Sequence, residues 1–116
     1  MANIDSLQDM VKKFCEDRDW DQFHSPKDLA IGLTTEASEL LELFRFKTDL
    51  EVNELMKTEK FREKLGDETA DVFFFLLRIC QMYNIDLKGS FKKKLIKNAE
   101  KYPIDKSKGS NKKYNE

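Results

Sequence analysis

Four carboxylates draw attention by their spacing: Glu36 and Glu39 in the segment EASE, and Glu68 and Asp71 in the segment ETAD. On a helix, positions i and i+3 project to the same side, so each pair would present two acids together. Taking about 100° per residue from Glu36, the apolar residues Leu29, Leu33, Ala37, Leu40, Leu41, Leu43 and Phe44 fall between about −20° and +140°. Glu36 lies inside that arc, Glu39 on its border at about −60°, and Glu42 on the solvent side near −120°. The second pair abuts the run VFFFLLRIC, apolar nearly all the way round. A helix of that kind is expected in the middle of a bundle.

Acids beside a core are costly. A lone buried carboxylate costs several kcal/mol or takes up a proton, and neighbouring carboxylates raise one another's pKa. A divalent cation among them relieves both penalties, and an all-oxygen ligand set selects a hard ion, Mg²⁺ or Mn²⁺, over zinc. Each pair taken alone is equally compatible with a solvated face, or with ion pairs to Arg45, Arg62 or Arg78. Two such pairs on two long helices, each beside an apolar stripe, favour a metal site. Glu36, Glu39, Glu68 and Asp71 are therefore the expected metal ligands. Redox iron is not expected: di-iron bundles use Glu-x-x-His motifs, and the single histidine, His24, lies in a loop outside any such motif.

The elements that must position these residues are helical. The chain has 116 residues with only four Gly and two Pro, which argues against a turn-rich β-fold. Ile4, Leu7, Val11, Phe14 and Cys15 mark a first helix over about 4–18. Ser25-Pro26, with Asp28 in the first turn, starts a second that continues to about Lys47. A short amphipathic helix is expected within 48–60, a third long helix over about 61–83, with Gly66 as a possible break, and a fourth over 87–101, ending before Pro103. The expected fold class is all-α, with a helical domain over 1–102 and a basic tail over 103–116. Cys15 and Cys80 sit in apolar helical patterns with no metal spacing, as buried thiols of a reducing, cytoplasmic setting. The first ten residues carry no basic stretch followed by an apolar one, so no secretion signal is expected. The longest apolar run, Val72 to Leu77, is too short for a membrane span.

The net charge of −1 conceals a division. Residues 1–87 hold 11 Lys/Arg against 19 Asp/Glu, and residues 88–116 hold 10 Lys against 3 Asp/Glu. Lys92, Lys93, Lys94, Lys97 and Lys101 crowd the fourth helix around Asn98. Most of these belong to a solvated face, but one or two turned toward the acids would make, with a metal, a receptor for polyphosphate. Trp20, Phe23, His24 and Phe46 are the aromatic loop residues available to sandwich a base, with Phe23 expected in the core instead. Nucleic acid is not an expected partner, because no reading motif accompanies the basic end.

The two acidic pairs, separated by 28 residues, together with RDWDQFHSPKDL and the tail KYP…SKGS…KY, resemble the MazG-like all-α nucleoside triphosphate pyrophosphohydrolases. The likeness is nearest the dCTP pyrophosphatase branch and runs from about Arg18 to Tyr114. It implies a four-helix protomer that forms homodimers or dimers of dimers, with Mg²⁺ held by Glu36, Glu39, Glu68 and Asp71. It further implies that Lys94, Asn98 and Tyr102 face the phosphates, that Trp20 and His24 help enclose the nucleotide, and that the tail can fold over the site. The implied reaction cleaves a nucleoside triphosphate between its α- and β-phosphates to a monophosphate and pyrophosphate, with dCTP or a modified deoxynucleotide as substrate. Three positions depart from the branch: Phe46 replaces a Trp, Phe75 a Tyr and Val11 a His. A π-face survives at Phe46, while the polar groups of the Trp, the Tyr and the His are lost. The alternative function is a non-catalytic helical module that binds a nucleotide or a protein.

Overall fold

The computed structural model describes residues 2–116. Six α-helices and one 3₁₀ turn follow in order: α1 (Ile4–Asp17), the 3₁₀ turn (Asp21–Phe23), α2 (Pro26–Glu42), α3 (Asp49–Leu55), α4 (Glu59–Met82), α5 (Leu87–Lys101) and α6 (Ile104–Ser107). No strand occurs among the described residues. The all-helical expectation holds, with two helices beyond the four long ones.

Local chemistry sets the boundaries. Asn3 and Ser6 form a reciprocal capping box at α1, and Thr48 and Glu51 form another at α3. Each satisfies backbone N–H groups that the first turn leaves free. Ser25 caps α2 by accepting from the Asp28 N–H at 3.1 Å, with Pro26 at the first helical position. Thr58 and Asp86 cap α4 and α5 in the same way. α2 stops at Glu42, five residues short of the expectation. The chain turns there, and Phe46 takes a left-handed backbone with φ 63°, which ends any continuation and is uncommon for an aromatic residue. α4 passes through Gly66 without a break; nothing lies near that glycine.

The chain divides into two compact units, Met1–Asn84 and Ile85–Glu116. In the first, α4 packs against both α1 and α2. The core is thin: Val11, Cys15, Leu29, Phe61, Leu77 and Cys80 are buried, together with the charged Arg78. Cys15 and Cys80 are free thiols as expected, and burial pushes both thiol pKa values up. Two expectations need correction. α4 is not enclosed on all sides, since Phe73 and Leu76 are exposed; α1 and α2 together cover only part of its circumference. Phe23, expected in the core, is 62% exposed on the 3₁₀ turn. In the second unit the tail adds α6 and returns to the end of α5, where the Tyr102 and Tyr114 rings meet edge to face at 5.9 Å and the Lys101 ammonium lies 4.9 Å from the Tyr114 centroid.

Candidate metal centre

α2 and α4 bring the two acidic pairs together. Glu36, Glu39, Glu68 and Asp71 each offer a carboxylate oxygen, and these four atoms all lie within 4.8 Å of one another. The i,i+3 spacing aims each pair from one helix toward the other. Gly32, one turn before Glu36, contributes to the close approach of the helices. A side-chain carbon there would collide with the ring of Phe75, one turn after Asp71.

Arg45 pairs with Glu42 at 2.9 Å, and Arg78 pairs with Asp21. Among the described residues no ion pair includes any of the four acids. Glu36 Oε2 and Glu68 Oε2 are buried and lack any hydrogen-bond partner, an expensive condition for a carboxylate. Carboxyl-to-carboxyl contact with Glu39 pushes the Glu36 pKa up to about 7, helped by burial and by the charges of Glu39, Asp71 and Glu68. Glu68 is also raised, first by burial and then by the charges of Glu39 and Asp71. Two orphaned oxygens within an all-oxygen set of four acids fit a hard divalent cation, which would satisfy those oxygens and reverse the upward shifts.

The aromatic residues singled out from the sequence lie in two places. Trp20, 39% exposed, meets Phe14 edge to face at 5.6 Å and His24 at 6.2 Å. Phe46, 90% exposed, projects from the turn after α2 with the Arg45 guanidinium 4.7 Å from its centroid. Lys94, Asn98 and Tyr102 belong to the second unit, Lys94 and Tyr102 exposed and Asn98 partly so.

Arg78 is the residue whose role the sequence concealed. It is 1% exposed. Its Nε donates to His24 Nδ1 at 2.9 Å, its Nη1 to Gln81 Oε1 at 2.6 Å, and its Nη2 to Asp21 Oδ1. An arginine inside an apolar run was the available signal, since a buried charge must find partners.

An all-helical unit in which two helices bring four acids to one point has the arrangement that could hold a metal ion. The chain belongs to the MazG-like family, whose model matches residues 31–116. It is similar to dCTP pyrophosphatase 1 of Rattus norvegicus, with 33% identity over 111 residues, 96% of this chain and 65% of that protein. Against dCTP pyrophosphatase 1 of Homo sapiens the identity is 32% over 113 residues, 97% of this chain and 66% of that one. The chain thus spans just under two thirds of the length of these mammalian relatives. A crystal structure of a pyrophosphatase from Archaeoglobus fulgidus superposes with a TM-score of 0.80 and 33% identity, covering 89% of this chain and 94% of that one.

Proposed function

We propose that this chain is a metal-dependent nucleoside triphosphate pyrophosphohydrolase that cleaves between the α- and β-phosphates, with dCTP or a modified deoxynucleotide as substrate. The observation that carries the reading is the convergence of Glu36, Glu39, Glu68 and Asp71, none of them ion-paired among the described residues. The relatives named as pyrophosphatases support the same reaction class.

Mg²⁺, when bound, supplies positive charge against the phosphates and acidifies water. Glu36, Glu39, Glu68 and Asp71 would hold it, Glu36 and Glu68 through the oxygens that otherwise lack a partner. Glu39, in contact with Glu36, is the proposed acceptor of the proton released when water attacks the α-phosphorus. Lys94, Asn98 and Tyr102 are the proposed phosphate contacts, and Trp20, His24 and Phe46 the proposed base contacts. With Phe46 in place of a Trp, stacking persists but an indole N–H donor is lost. Self-association as a homodimer or homotetramer belongs to the same reading.

The test is release of pyrophosphate from canonical and modified dNTPs and NTPs, with and without Mg²⁺. Mg²⁺-dependent release is expected with a deoxynucleotide preference. Glu36→Gln and Asp71→Asn are expected to lower kcat by about 100-fold or more while leaving the helical fold intact. Full activity in either variant contradicts the site; no release from any triphosphate contradicts the reaction and favours a binding module.

A further inference from the structure

The loop between α1 and α2 is tied to α4 by contacts that converge on His24. Arg78 holds the loop twice, through Asp21 and through the His24 ring. The Tyr83 hydroxyl holds it a third time, donating to the His24 carbonyl oxygen at 2.8 Å. Because Arg78 Nε donates to Nδ1, that nitrogen must carry its lone pair, and the single proton of the neutral ring sits on Nε2. Burial and the Arg78 charge push the His24 pKa down, against the opposing charges of Asp21 and Asp28, which favours the neutral ring.

The same loop connects to the acids by a relay of rings. Trp20 meets Phe14 at 5.6 Å, Phe14 meets Phe74 at 5.9 Å, and Phe74 meets Phe75 at 5.5 Å, each edge to face. Phe75 lies against Gly32, one turn from Asp71 on its own helix and facing the turn before Glu36. Phe14 and Trp20 are themselves part-exposed, so the buried Arg78, not the ring packing, is what ties the loop down. Arg78 is the loop's charged anchor, and it shares α4 with Glu68 and Asp71, so the loop is fastened to the helix that carries half of the acids.

We infer that Arg78 is a positioning residue for nucleotide recognition: it holds His24 as the Nε2-protonated tautomer and fixes the Trp20–His24 loop as the wall that meets the nucleobase. This rests on the pyrophosphohydrolase reading. The Nε2–H becomes a fixed donor for a carbonyl oxygen or ring nitrogen of the base, and Trp20 beside it supplies an apolar face. The guanidinium fork matters as much as its charge, since two separate nitrogens must reach the ring and the carboxylate together.

His24 and Trp20 are the only His and the only Trp in the chain, so each reports on the loop without ambiguity. In ¹⁵N-correlated spectra of the labelled chain at about pH 7.5, above the ordinary imidazole range, His24 is expected to show an unprotonated Nδ1 and a protonated Nε2. In Arg78→Gln the ring is expected to exchange between tautomers, and nucleotide quenching of Trp20 fluorescence to weaken. KM is expected to rise about tenfold with kcat within about twofold, the pattern of lost binding without lost chemistry. Arg78→Lys is expected to resemble Arg78→Gln, and a wild-type tautomer in Arg78→Lys would overturn the requirement for the fork. If Arg78→Gln does not fold, Asp21→Ala at its half-exposed position carries the test, with the same changes in smaller measure. An unchanged tautomer or an unchanged KM in the folded variant overturns the assignment of Arg78 alone. Absence of both turnover and Trp20 quenching in the wild-type chain overturns the nucleotide reading and this inference with it.

Discussion

Glu36 carries the largest consequence at the scale of single residues. Its carboxyl is raised to about 7 from an ordinary value near 4.5, chiefly by contact with Glu39. The native state then holds a proton that the unfolded state has released across the interval between those values, so stability falls as pH rises through it. Glu68 is raised as well and adds to the same slope. A divalent cation binds the deprotonated cluster, so its stabilisation grows as that proton leaves. The melting temperature of the metal-free chain should therefore fall between about pH 5 and 7.5. The increment on adding Mg²⁺ should grow over the same interval and vanish in Glu36→Gln. A Mg²⁺ increment independent of pH would contradict the raised Glu36 pKa. Sequence spacing singled out the four acids that α2 and α4 bring together, because i,i+3 periodicity is a local property. It was not enough for Arg78, whose ring partner His24 lies 54 residues away. Nothing local distinguishes an arginine that pairs with a distant loop from one that pairs with the acids.

Two glycines show what decides packing between elements. Gly66 on α4 faces open space, whereas Gly32 on α2 faces the Phe75 ring. Substituting alanine at 66 should stabilise the chain by up to about 1 kcal/mol through helix propensity. The same substitution at 32 should destabilise by about 1–3 kcal/mol, because the ring must move within a packed contact. Urea unfolding of the two variants checks the opposite signs; equal effects would contradict the close approach of α2 to α4. The start of α2 was legible because Ser25-Pro26 marks it, whereas the Thr58 cap that starts α4 at Glu59 passed unread. The end of α2 was not legible either. LLELFRFK continues a helical pattern, but the chain leaves it after Glu42 and reaches a left-handed Phe46. No glycine or proline announces that turn. The burial of α4 was misjudged for a related reason: its apolar circumference says what it can bury, not how much of it α1 and α2 cover.

Across the whole molecule, the charge division is the most legible feature. The switch from acidic to basic composition at 87/88 falls beside the boundary between the compact units at 84/85. The acids proposed to hold metal lie in the first unit, and the lysines proposed to meet phosphate lie in the second. Only six apolar side chains are buried among the described residues, while Ile31, Leu41, Phe46 and Leu50 are each more than half exposed. Exposed apolar side chains in that number fit a chain that associates with copies of itself. Sedimentation should accordingly find a dimer or tetramer at micromolar concentration, and the melting temperature should rise with protein concentration. A monomer with a concentration-independent transition would contradict self-association.

The central claim is that this carboxylate centre directs water to the α-phosphorus. Hydrolysis of a deoxynucleoside triphosphate in ¹⁸O-water, followed by ³¹P NMR, tests it most directly, because the isotope shift marks the phosphorus attacked. With Mg²⁺ and the wild-type chain, the label should enter the nucleoside monophosphate and leave pyrophosphate unlabelled. Label in pyrophosphate, release of orthophosphate with a nucleoside diphosphate, or no hydrolysis at all would contradict it.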